Sequence, residues 1–166
     1  MTLAVNIAQD RLHELYEYRD GNFYRKTSAR GVKAGIQSNY KTSEGYHKIV
    51  IDQKRYKFHR VAFMYHHGYM PKMVDHINGD KSDNRIENLR EVTDSQNRMN
   101  VGISCKNKSG VKNVHWHKAG NCWRVQVTHK QGVFTKQVED LELAELIAIE
   151  ARTKFHGEYA NHGVSA

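Results

Sequence analysis

Apolar residues along this chain recur at two spacings, and the changes between them mark out its elements. A short helical stretch is expected around Asn6–Tyr16, followed by YEYRDGNFYRK, in which Asp20-Gly21 supplies the positive-φ positions of a tight hairpin. YHKIVI and RYKFH read as a second hairpin about Asp52-Gln53-Lys54. In HRVAFMYHHG, Val61, Met64 and Tyr65 share one helical face and Gly68 is a natural stop. Pro71, the only proline, then breaks the chain. Further on, three strands are expected at Val111–His117, Trp123–His129 and Val133–Val138, with turns at Ala119-Gly120-Asn121 and Lys130-Gln131-Gly132. In the middle strand Trp123, Val125 and Val127 alternate with Arg124, Gln126 and Thr128, and in the first Val114 and Trp116 would share the core face. A helix over Leu141–His156 presents Leu141, Ala144, Ala148, Ala151 and Phe155 as one apolar stripe to cover that sheet. The reading is an α+β chain of small modules. These are an N-terminal segment of hairpins and a helix at 1–70, a central motif at 71–100, a linker at 101–109, and a three-stranded antiparallel sheet with one helix at 110–160.

Composition sharpens this picture. Of the 166 residues only 39% are apolar, and mean hydropathy is -0.78, so a single large core is excluded and modest cores are expected. A net charge of +8 and a pI near 9.5 favour a polyanionic partner. No apolar run approaches the length of a membrane span, and MTLAVNIAQDR has neither the basic start nor the apolar stretch of a signal peptide. Cys105 and Cys122 form neither a disulfide framework nor a C-x-x-C pair, which suits a reducing cytoplasm. The charge is also concentrated. From Lys106 to Lys136 there are seven Lys or Arg and no Asp or Glu.

Residues 74–100, VDHINGDKSDNRIENLREVTDSQNRMN, carry the chemistry. Val74 and Ile77 flank Asp75 and His76, Asn78-Gly79 is a turn signal, and LREV can return as a second strand. Thr93 and Gln96 match a capping box, so a helix is expected from Thr93, with Asn97 in its first turn and a half. Asp75 and Asn97 offer the hard oxygen donors that Mg²⁺ or Mn²⁺ takes. A neutral imidazole at His76 can accept a proton from an attacking water at physiological pH. On an extended strand, neighbouring side chains at 75 and 76 point to opposite faces unless the strand end twists.

This stretch resembles the HNH nuclease motif in the form found in phage and intron-borne homing endonucleases. The resemblance implies a ββα-metal fold in which His76 is the general base. It implies that Asp75 and Asn97 hold one divalent metal ion, Mg²⁺ before Mn²⁺, and that Asn88 ties down the long loop by side-chain to backbone hydrogen bonds. Asn97 stands where many members carry His, which points away from zinc and towards a hard cation.

The region from GVKNVHWHKAGNCWRVQV to TKFHGEYA resembles the AP2 DNA-binding domain. On that pattern His115, His117, Arg124, Gln126 and Thr128 fall on a DNA-facing sheet, with Lys130 beside them in the turn. Arg55, Lys57 and Arg60 are further candidates for phosphate contacts. Cys105, His115, His117 and Cys122 match no common zinc-finger spacing, and His66-His67 suits a helix end better than a metal. The expected function is therefore a metal-dependent DNA endonuclease of homing type, nicking double-stranded DNA once per monomer, with a double-strand break needing two chains or two successive events. The rivals are a DNA-binding regulator built on an inactive nuclease and a non-specific nuclease.

Overall fold

A computed structural model describes residues 8–28 and 31–163, which divide into two compact units between Thr93 and Asp94. The start of the helix expected at Asn6 lies outside the described residues.

The first unit opens with α1 (Gln9–Leu15) and a hairpin of β1 (Tyr16–Arg19) and β2 (Asn22–Arg25). Asp20 and Gly21 both take positive φ, 47° and 75°, which gives the connection the twist that the two strands need. Three strands follow in the order β3 (Tyr40–Lys41), β4 (His47–Ile51) and β5 (Lys54–Lys57). The β4–β5 turn is made by Asp52 and Gln53 alone, both at positive φ, so Lys54 belongs to the strand. β3 is too short to register as a periodic pattern and is absent from the sequence reading. Then comes α2 (Phe58–His67), which buries Phe58, Val61, Ala62, Phe63 and Met64. It ends at Gly68 in the left-handed region, whose N–H donates to the Met64 carbonyl. His67 Nδ1 lies 3.0 Å from the Phe63 carbonyl, so this histidine closes the helix end. A single core runs from Leu12 to Leu89, with Phe23 surrounded by the rings of Tyr16, Tyr18, Phe58 and Tyr65.

The unit closes with a two-stranded ribbon, β6 (Val74–His76) and β7 (Leu89–Glu91). Its strands pair Val74 with Glu91, Asp75 with Arg90 and His76 with Leu89. Between them runs a polar loop that ends in a 3-10 turn at Ile86–Asn88.

The second unit starts with α3 (Asp94–Asn100) and continues as an antiparallel sheet of β8 (Val114–His117), β9 (Cys122–His129) and β10 (Gly132–Val138), with β9 central. β8 begins three residues later than expected. Asn113 sits at φ 68° and cannot continue a strand, and the preceding residues are tied into a turn by Asn107 and Ser109. Trp116 is not a core residue. It is 43% exposed at the edge strand and meets Trp123 edge-on at 5.0 Å.

α4 (Leu141–His156) lays Ala144, Ala148 and Ala151 over Val114, Val125 and Val127. The small side chains let the helix approach the sheet closely. Asp140 caps this helix by accepting from the Leu143 N–H at 2.7 Å. One residue in the helix defies the apolar reading. Arg152 is 1% exposed and donates through Nη1 to the Lys112 carbonyl at 2.6 Å, so its charge is hydrogen-bonded rather than stranded.

Replacing Asp140 by Ala removes the cap and should destabilise the chain by about 1 kcal/mol. Urea unfolding followed by circular dichroism checks this, and an unchanged midpoint would contradict the capping role.

Candidate active site

The site grows from the end of β6. Alternation along the strand sends Val74 and His76 inward, 7% and 4% exposed, while Asp75 faces its cross-strand partner Arg90. Arg90 donates through Nη2 at 3.1 Å and Nε at 3.3 Å, both to Asp75 Oδ2. Both side chains of this ion pair are largely enclosed, 11% and 15% exposed. The strand end does not bring Asp75 and His76 onto one face.

The loop that follows is a lattice of amides and carboxylates. Asn88, 8% exposed, accepts from the Asn78 N–H at 3.0 Å and donates to the Asp83 carbonyl at 2.8 Å and to Asn78 Oδ1 at 2.9 Å. Asn78 donates in turn to Asp83 Oδ2 at 2.9 Å. Asp83 receives Arg85 on both oxygens, at 2.9 and 2.8 Å. This fork holds the Asp83 carboxyl down to about 2. Asp80 accepts from both the N–H and the hydroxyl of Ser82, and these bonds likewise lower its pKa. The loop thus satisfies itself locally rather than through apolar burial.

His76 is enclosed by polar and aromatic neighbours. Its Nε2 lies 3.2 Å from Asn84 Oδ1, its ring meets His59 at 5.1 Å between centroids, and Tyr46 is 6.3 Å away. Burial lowers its pKa, with the Asn84 hydrogen bond and the charge of Asp75 opposing, so the ring is neutral at physiological pH. His59 is 4% exposed and burial carries it down to about 3. His47, also lowered by burial, approaches Asn84 from the other side, with Nδ1 3.1 Å from Asn84 Nδ2. Asn84, His47 and His59 escape the sequence reading. Asn84 sits in a loop whose composition suggests only a solvated connection, and a histidine on a core face has no lexical mark.

Asn97 lies on α3, in the second unit, half-buried. His115, Arg124, Gln126 and Thr128 occupy one face of the β8–β9–β10 sheet. His115 pairs across the ladder with Arg124, and Arg124 with Gln137. His115, Gln126, Thr128 and Lys130 are exposed, whereas Arg124 and His117 are half-buried. His117 Nδ1 accepts from the Gly120 N–H. Cys122 is buried and Cys105 exposed, both as free thiols. Among the described residues no three His, Cys, Asp or Glu side chains form a metal-holding group. No described helix is long and apolar enough to cross a membrane.

Residues 56–99, from β5 through both strands of the ribbon into α3, match the HNH endonuclease family. Over 99 residues the chain is 33% identical to Protein 3.8 of Escherichia phage T7, in an alignment covering 56% of this chain and 78% of that protein. The chain belongs to the same family as this phage protein and carries an HNH endonuclease domain at 56–99. No solved structure matches it significantly.

The buried imidazoles make the first unit sensitive to acid. Folded His59 resists protonation down to about pH 3, whereas an unfolded histidine protonates near 6.5. Acidification therefore favours the unfolded chain, and stability present above pH 6.5 is lost as pH falls from there towards 3, by up to about 1.4 kcal/mol per pH unit. Urea midpoints measured from pH 7 to 5 should fall, and fall less steeply in His59→Leu. Equal slopes in the two proteins would contradict this origin.

Proposed function

We propose that the chain is a metal-dependent DNA endonuclease that hydrolyses a phosphodiester, of the site-specific homing type. The observation that carries this reading is a neutral, enclosed imidazole at the end of β6, one residue along the strand from a carboxylate, inside the segment that matches the HNH endonuclease family. His76 takes the proton of the attacking water as general base. Asn88 holds the loop behind it in one conformation.

Asp75 and Asn97 are the residues that would hold the cation. Carboxylate and amide oxygens are the donors Mg²⁺ or Mn²⁺ takes while keeping waters and accepting substrate oxygens. The described residues offer no cluster of three His, Cys, Asp or Glu of the kind a structural zinc site uses. When bound, the cation supplies charge stabilisation at the phosphoryl group and the leaving 3′ oxygen. Arg90 holds the Asp75 carboxylate in place through Nη2 and Nε, both on Oδ2.

The second unit is proposed to find the site on DNA. Its AP2-like sheet would present His115, His117, Arg124, Gln126, Thr128 and Lys130 to the major groove, where Arg and Gln read purine edges and Lys meets phosphate. One motif per chain means one nick per monomer, and a double-strand break takes two chains or two successive nicks.

The test separates cutting from binding. His76→Ala and Asp75→Asn should each lower the cleavage rate by a hundredfold or more while duplex affinity stays within about twofold. Loss of binding in place of cleavage would overturn the assignment. Arg124→Ala should weaken target selection by about 1–3 kcal/mol and leave the rate on bound DNA intact. An unchanged footprint would remove Arg124 from the DNA face.

A further inference from the structure

Asn84 is 1% exposed, and every polar atom of its side chain is engaged. Nδ2 lies 3.1 Å from the Ser82 carbonyl oxygen, which can only accept, so that atom must be the amide nitrogen and the orientation of the side chain is settled. The other hydrogen of Nδ2 points to His47 Nδ1 at 3.1 Å. Oδ1 consequently faces His76 Nε2 at 3.2 Å, and an amide oxygen can only accept. A neutral imidazole carries one hydrogen, and here it must be on Nε2. The lone pair that can take a proton is then on Nδ1.

The backbone of Asn84 is fixed from a different element. Tyr18 on β1 donates its hydroxyl to the Asn84 carbonyl at 2.7 Å. The β1–β2 turn presses so close that a Cβ on Gly21 would stand 2.9 Å from the Arg85 nitrogen and 3.2 Å from the Asn84 carbonyl carbon. Glycine is required there for the approach as well as for its φ of 75°. The N-terminal hairpin therefore reaches, through Asn84, to the imidazole at the end of β6.

We propose that Asn84 is a positioning residue that fixes His76 as the Nε2–H tautomer, so that Nδ1 is the atom that accepts the proton of the attacking water. Asn84 acts through His76 and touches no reacting atom. Tyr18, Gly21, Ser82 and His47 serve to hold its amide in this one orientation. The proposal rests on the reading of His76 as the general base.

The tautomer is observable without any cleavage assay, from the ring ¹⁵N shifts and couplings of His76 in the ¹⁵N-histidine-labelled full chain near pH 7.5. The wild type should show a protonated Nε2 and an unprotonated Nδ1. Asn84→Leu removes the acceptor, so His76 should become a mixture of tautomers. Its single-turnover rate on plasmid at saturating DNA should fall ten- to a hundredfold, the usual size for loss of a partner that orients an active imidazole, with duplex affinity within about twofold. Tyr18→Phe, which leaves the core ring in place, should give a smaller loss in the same direction. A wild-type ring protonated on Nδ1, or an Asn84→Leu chain with unchanged tautomer and rate, would overturn the proposal while leaving the nuclease reading in place. A wild type with the expected tautomer that cuts no DNA with Mg²⁺ or Mn²⁺ would overturn the nuclease reading and the catalytic role given to Asn84 with it.

Discussion

A twelve-residue polar loop with almost nothing to bury must nevertheless hold one shape, and the hydrogen bonds of its own asparagines and aspartates supply the constraint. Between Ile77 and Asn88 the side chains of Asn78, Asp80, Asp83, Asn84 and Asn88 bond to backbone groups or to one another at 2.7–3.3 Å. Each such bond contributes only about 1 kcal/mol net, but leaving a buried partner unmet costs more, so the loop is locked by the penalty for breaking any one of them. The two strands of the ribbon can then close on only three residue pairs, because the loop between them is already folded. His76 inherits its position from that closure.

The same logic explains how a chain with so few apolar residues builds an ordered site. The first unit concentrates its aromatic rings around Phe23 and uses that small core to support α2 and the β1–β2 hairpin. Both elements reach the site. α2 contributes His59 against the His76 ring, and the hairpin contributes Tyr18 to the Asn84 backbone. Lys81, within the loop, lies over the Tyr46 ring at 4.8 Å and donates to the Glu44 carbonyl, fastening the outer side of the loop to the segment before β4. The second unit is built differently, as a sheet of valines under a helix of alanines.

The elements most legible in the sequence were those with an unambiguous period. α4 spans Leu141–His156 as its apolar spacing predicts, and β9 and β10 fall within a residue of the expected ranges. The hairpin at Asp20-Gly21 was legible because only a few residue types tolerate two positive φ values in succession. Less could be read where tertiary packing decides. Trp116 has the parity of a core residue but sits on an edge strand, where the helix does not cover it. Arg152, which has no place in the apolar pattern, is buried with its guanidinium on the Lys112 carbonyl. Asp75, His76, Asn88 and Asn97 stand out in the sequence as a spaced set, whereas Asn84 does not. Its importance lies in which atoms surround it, and nothing in the composition of a loop rich in Asn and Asp distinguishes one amide from the next.

DNA hydrolysis by the full chain is reported most directly by the ends of its product. Supercoiled plasmid carrying the chain's target should be nicked once per bound monomer in Mg²⁺ or Mn²⁺ and left intact in chelator. Attack by water with departure of the 3′ oxygen leaves a 5′-phosphate and a 3′-hydroxyl, so DNA ligase should reseal the nick. Cleavage that persists in chelator, nicks that ligase cannot seal, or DNA that is bound and never cut would each contradict it.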